Sequence, residues 1–308
     1  MDTLARGLGY IDVTFMGFPR VIATAVLQGP GGVALIDPGP STCLDTLRAS
    51  LEERGMTVAD VKAVLLTHIH LDHAGATGSL VKENPEIAVY VHQKGAPHMV
   101  SPEKLLASAG RLYGDQMETL WGEFAPIPEA NIRSLTGGER IDVSDRQLDV
   151  VYLPGHASHH VGYFDSASGV AFVGDTAGIR LGTELFATPP TPPPDIDVEA
   201  WVQSVELIRN RHPSTLFVTH FGPHEDVSAH LDAFLEHLAA AKDLARTILE
   251  SDGTDEDKAS EFTHQMQLYI QRFMPAQQTD LFNGAPLGPL SLGWLGLRRY
   301  WRKQGVGG

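Results

Sequence analysis

Three histidines and an aspartate fall within six residues, His68-x-His70-x-Asp72-His73. Imidazole and carboxylate without thiolate form a donor set that suits Zn2+, Fe or Mn2+. Alternate residues project the same way from an extended chain but stand ~200° apart on a helix. His68 and His70 therefore converge on one ion only if the strand before them continues extended. Asp72 and His73 then fall where a helix should begin and point elsewhere, as a second ion a few ångströms away would require.

Three further segments share one design, a hydrophobic strand ending in a ligand-type residue. They are Val150-Val-Tyr-Leu-Pro-Gly-His156, Val170-Ala-Phe-Val-Gly-Asp175 and Leu216-Phe-Val-Thr-His220. Loops at the ends of strands are where a rigid sheet usually carries its sites. Gly155 and Gly174 stand just before two of these residues, and without a Cβ the chain can bend sharply there. One histidine after a strand is usually a bystander; four such segments in this order point to a binuclear metal centre.

The elements that must position these side chains follow from periodicity and breakers. Val21 to Asp37 reads as two short strands around Gln28-Gly-Pro-Gly-Gly32,. Ser41 caps a helix carrying Leu44, Leu47 and Leu51, which Gly55 closes. Val61 to Leu66 is a strand, a helix runs on to about Glu83, and Ile87 to Val91 is the next strand. Residues 101 to 135 read as helical but poorly periodic. Strands return at Gln147–Leu153, Val161–Phe164 and Val170–Val173. Pro189, Pro190, Pro192, Pro193 and Pro194 make a stiff loop, expected as a pocket rim with Phe186 and Trp201 as apolar walls. A helix over Val198–Arg209 and the strand Leu216–Thr219 follow. Beyond His220 the pattern turns helical, over Val227–Glu250, Glu256–Phe273 and a last short segment. The expected division is a mixed α/β domain over 1–222 and a helical C-terminal extension over 223–308.

Charge narrows the partners. Against 38 acidic residues stand only 23 Lys and Arg, a formal net charge of -15. Such a surface repels phosphate backbones and anionic lipid, so the expected partner is a small-molecule substrate, with no nucleic acid and no membrane. Cys43 is the only cysteine, which excludes an intramolecular disulfide and fits a reducing compartment,. The opening residues lack a signal pattern and no apolar run approaches ~18 residues, so a cytoplasmic location is expected. Leu231, Phe234 and Leu238 share one helix face that would serve a homodimer as readily as a core.

On His68-x-His70-x-Asp72-His73 and the spaced His156, Asp175 and His220, residues 20–222 resemble the metallo-β-lactamase superfamily, on its glyoxalase II and lactonase side. The resemblance implies an α/β fold, a four-layer αββα sandwich, here with a C-terminal helical appendage. It implies that His68, His70 and His156 hold one ion and that Asp72, His73 and His220 hold the other. Asp175 would bridge them, and Asp37 would orient a ligand rather than bind metal. The implied activity is hydrolysis of a carboxylic ester, thioester or lactone by a metal-bridging hydroxide, with Asp72 and Asp175 as the catalytic carboxylates. Tyr113 is a candidate oxyanion donor, and His160 and His224 are candidates to support the ligands or touch substrate. Two divalent ions are implied, Zn2+ foremost, with Fe or Mn2+ as alternatives. The rival readings are a mononuclear iron persulfide dioxygenase of the same fold and a low-turnover metal-containing binding protein. Flavodiiron relatives carry Glu where His70 stands, and the nuclease branch carries basic motifs that are missing here.

Overall fold

The computed structural model describes residues 1–274 and 290–307. Its first sheet has seven strands in sequence order: β1 (Asp2–Ala5), β2 (Leu8–Asp12), β3 (Ala23–Gly29), β4 (Gly32–Ile36), β5 (Val61–Leu65), β6 (Ala88–His92) and β7 (Ile132–Leu135). β1 to β4 form an antiparallel meander, and β4 to β7 run parallel. The second sheet comprises β8 (Arg140–Val143), β9 (Arg146–Tyr152), β10 (Val161–Asp165), β11 (Val170–Phe172), β12 (Thr215–Val218) and β13 (Gly222–His224). Its spatial order is β13-β12-β11-β10-β9-β8, and only β11 and β12 pair in parallel.

Alternation along each strand builds the layers. On β5, Ala63 and Leu65 face the second sheet, while Val64 faces outward onto helices. On β9, Leu148 and Val150 point inward and Val151 outward. Outside the first sheet lie α1 (Leu44–Glu52), α2 (Leu71–Ala74), α3 (Thr77–Glu83), α4 (Ala96–Val100), α5 (Glu103–Tyr113) and α6 (Met117–Trp121). The second sheet is covered by α7 (Val198–Arg209), α8 (Val227–Glu250), α9 (Asp255–Ile270) and a last helix, Leu290–Lys303. The result is the four-layer αββα sandwich with a C-terminal helical region.

Some expectations change. The stretch 101–135 is α-helical only as far as Trp121 and, after a single 3-10 turn at Glu129–Asn131, ends in β7, whose four residues hold too few apolar positions to show alternation. Nothing in the sequence pattern announces β1, β2 and β8, because two are short polar edge strands and all lack a long apolar run. Leu231, Phe234 and Leu238 are at most 1 % exposed, packed with Val151, Trp201 and Leu216, so that face serves the chain's own core. Among the described residues no helix is long and apolar enough to cross a membrane.

Candidate metal centre

Every candidate ligand follows the C-terminal end of a strand: His68, His70, Asp72 and His73 follow β5, His156 follows β9, Asp175 follows β11 and His220 follows β12. His70 is extended, with φ -62° and ψ 153°, immediately before α2, whose first turn holds Asp72 and His73. The change from extended chain to helix therefore aims His68 and His70 one way and Asp72 and His73 another. Gly155 and Gly174 are needed where they stand. Their φ values are +140° and +48°, and a Cβ would come within 2.3 Å of Trp201 at the first and 2.4 Å of Thr67 Oγ1 at the second.

His68, His70 and His156 form the first donor set. Thr67 Oγ1 gives its proton to Asp37 Oδ2 at 2.7 Å and so accepts from His68 Nδ1 at 3.1 Å. His156 Nδ1 donates to the Pro190 carbonyl at 2.8 Å. Both Nε2 atoms are then lone pairs, and they lie 3.0 and 2.9 Å from His70 Nδ1. One ring nitrogen can donate to only one of them. At least one buried lone pair is thus left without a donor, an arrangement that a shared cation resolves.

Asp72, His73 and His220 form the second set. His73 Nδ1 donates to Asp37 Oδ2 and His220 Nδ1 to the Val21 carbonyl, each at 2.8 Å. Their Nε2 atoms are buried without a hydrogen-bond partner, as is Asp175 Oδ1. Asp72 Oδ2 lies 3.3 Å from His220 Nε2 and 3.8 Å from His73 Nε2. Asp175 reaches both sets, with Oδ1 3.3 Å from His73 Nε2 and Oδ2 3.5 Å from His156 Nε2. These orphaned inward atoms fit divalent cations at both sets.

Electrostatics distinguishes the two. In the first set burial and neighbouring imidazoles lower the pKa of His68 far below its ordinary value, His70 falls to about 3 and His156 also drops. Burial also pushes against charging His73, but Asp175, Asp72 and Asp37 overcome it and raise the pKa well above ordinary. His220 is raised for the same reason, burial being outweighed by Asp175 and Asp72. Burial would raise the carboxyls, yet His73 and His220 hold Asp72 down to about 2 and Asp175 well below the usual range. Without a cation the imidazoles of the second set hold protons more tightly than those of the first, and a metal would compete with those protons,.

The supporting residues are tied closely to this frame. Asp37, 1 % exposed, accepts from Thr67 N and Oγ1, His73 Nδ1 and Thr219 Oγ1 at 2.7–2.8 Å. His160 lies behind the ligands, stacked on His68 at 4.8 Å, with Nε2 accepting from Asp175 N at 3.2 Å. His224 sits away from the centre. Its ring faces His230 at 5.1 Å, beside Arg180, which is bound to Asp226 at 2.8 Å. A substrate contact at His224 does not fit that location.

A cavity of about 380 Å3 opens onto the centre and is bordered by His70, Asp72, His156 and Asp175. Tyr113 also borders it, half-buried, and burial pushes its phenol up, so the hydroxyl remains a donor. The proline loop forms one wall as expected, but Phe186 and Trp201 do not: Phe186 packs on His237 at 4.5 Å and Trp201 lies behind His156 at 5.4 Å. Of the pair His159 and His160, His159 is the one that lines the cavity. Lys94, His98 and Lys104 line it too, from positions with no spacing signal.

Residues 17–220 match the family model described as the metallo-beta-lactamase superfamily. A metallo-beta-lactamase fold-containing protein of Sulfurisphaera tokodaii is 26% identical over 220 residues, 70% of this chain and 79% of that protein. The hydroxyacylglutathione hydrolase of Thermosynechococcus vestitus is 30% identical over 146 residues, spanning 47% of this chain and only 44% of that enzyme's length. A metallo-beta-lactamase family protein of Thermus thermophilus superposes with a TM-score of 0.71 at 24% identity, covering 98% of this chain and 95% of that one. That likeness is one of fold, and it extends over the C-terminal helices. With the family match covering most of the sandwich, the chain belongs to the metallo-beta-lactamase superfamily.

Proposed function

We propose that this chain is a hydrolase of a carboxylic ester, thioester or lactone that works with two divalent metal ions, Zn2+ foremost. The observation that carries the reading is Asp175, whose two carboxylate oxygens face different donor sets. Ions held there would polarise a substrate carbonyl and lower the pKa of a shared water from 15.7 toward ~7. Asp72, with a fifth of its side chain exposed to the cavity, is placed to accept a proton from the attacking water and pass it to the leaving group,. Tyr113 supplies a donor for the developing oxyanion. The partial match to hydroxyacylglutathione hydrolases supports the thioester option. A cytoplasmic setting and a small-molecule substrate are part of the same proposal.

A persulfide dioxygenase would use a single iron and leave Asp72, His73 and His220 without a second ion. The buried, unpartnered Nε2 atoms of His73 and His220 favour two ions instead. The test is elemental analysis of the purified protein for Zn, Fe and Mn, followed by an ester, thioester and lactone panel. About two ions per chain and hydrolysis of one class are expected; a single iron with oxygen uptake on a persulfide would replace the reading.

A further inference from the structure

Both helical layers wall the cavity, and the two sides differ in chemistry. Every ionisable residue on its border, among the described residues, lies between His70 and Asp195. Among the described residues, the C-terminal helices contribute Ala241 from α8, Phe262 and Met266 from α9, and Leu290, Leu292 and Gly293 from the last helix. Ala241, Phe262 and Met266 are at most 4 % exposed, so this wall is buried as well as apolar. None of these described residues carries a side-chain hydrogen-bonding group.

The proline loop connects that wall to the metal centre. The Pro190 carbonyl accepts from His156 Nδ1, and the next residue, Thr191, donates from Oγ1 to the Gly293 carbonyl at 3.3 Å. The last helix is pressed onto this loop so closely that a Cβ at Gly296 would lie 2.0 Å from the Thr191 carbonyl oxygen. A substrate carbonyl at His156 and Asp175 therefore has the apolar wall on one side. From the first-sheet side come Lys94, His98 and Lys104, beside Leu105, Ala109 and Leu112, and these cations suit a polar or anionic leaving group,.

We propose that the C-terminal helices form an acyl pocket, and that the substrate is an ester, thioester or lactone of an unbranched medium-chain fatty acid. Its chain lies against Ala241, Phe262, Met266 and Leu292. The inference rests on the hydrolase reading and deepens it by naming the acyl side. A short acyl group would leave this wall uncovered.

The experiment pairs turnover with binding. With p-nitrophenyl esters from acetate to dodecanoate, kcat/KM should climb by up to roughly fourfold per methylene until the pocket is full. Lengthening the alcohol of alkyl acetates should give no such climb. Met266→Trp should lower the decanoate-to-acetate ratio at least about tenfold. Ala241→Phe fills the pocket from another helix and serves if the first variant does not fold. By calorimetry, sodium decanoate should bind wild type at least about tenfold tighter than sodium hexanoate, and either filling variant should abolish the difference. Ester hydrolysis with a flat acyl series and no decanoate preference overturns the acyl pocket while the hydrolase stands, as does a climb in the alcohol series alone. Decanoate preference without hydrolysis of any ester, thioester or lactone keeps the pocket and removes the hydrolase reading.

Discussion

The two donor sets share the segment after β5 and each add a histidine from the second sheet, yet their surroundings push their imidazoles in opposite directions. His68, His70 and His156 crowd one another and are driven neutral, with lone pairs already exposed. His73 and His220 face Asp72 and Asp175 and are driven toward the protonated state. Histidine type alone therefore says little about readiness to bind metal; the neighbours decide it. Both sets also draw on both sheets, since His68 to His73 follow the first sheet and His156, Asp175 and His220 follow the second. Metal held here would staple the halves of the sandwich.

The harshest way to break the contrast is to remove the one residue that both sets share. Asp175→Ala deletes the oxygen facing His73 and the oxygen facing His156 together. Loss of the bridge removes several kcal/mol of charge stabilisation, so kcat/KM on the best substrate should fall by about 10³-fold or more. Metal content per chain should drop in the same preparation. Wild-type turnover in a folded Asp175→Ala protein would leave the bridged centre without support.

Asp37→Asn separates the sets instead. Asp37 has φ +50°, a backbone conformation that Asn tolerates well, so the chain path should survive,. Its carboxylate holds His73 Nδ1, however, and Thr67 only indirectly ties it to His68. Affinity for the second ion should weaken by roughly 10–100-fold, the usual loss when a ligand's outer hydrogen bond goes, with a smaller change at the first. Competition with a chromophoric chelator would resolve the two steps. Equal weakening of both would mean that Asp37 supports the centre as a unit.

Much of this centre could be read from sequence because each ligand ends a recognisable hydrophobic strand, and because Gly155 and Gly174 mark the sharp bends. The long helices Val198–Arg209 and Val227–Glu250 were equally legible from their apolar spacing. Legibility failed where a contact depends on distant chain. Thr67 and Thr219 meet at Asp37 only after two sheets have packed, and nothing in their local pattern announces it. His159 and His160 are neighbours in a tight turn, and periodicity could not say which would face the cavity and which Asp175. The acyl wall comes from three helices whose apolar residues read simply as core.

The mildest probe is acid, and it sharpens the comparison without altering a residue. Because the pKa values of His73 and His220 are raised without metal, both nitrogens carry protons at pH values below those raised levels, and a cation must displace them,. Affinity at the second set should then fall as pH drops, by up to about tenfold per unit for each displaced proton. The first set behaves differently. Burial has lowered His70 to about 3 and lowers His68 and His156 as well, so acid competes less for their lone pairs than for those of the second set. Dialysis against limiting Zn2+ at about pH 7.5 and about pH 5.5 should take the protein from about two ions per chain toward one. The ion that remains should be the one held by the three histidines, so His70→Ala should empty the acid-treated protein, whereas Asp72→Ala should change its content little. Loss of both ions together, or retention governed by Asp72, would show that the opposed protonation of the two sets does not control their loading.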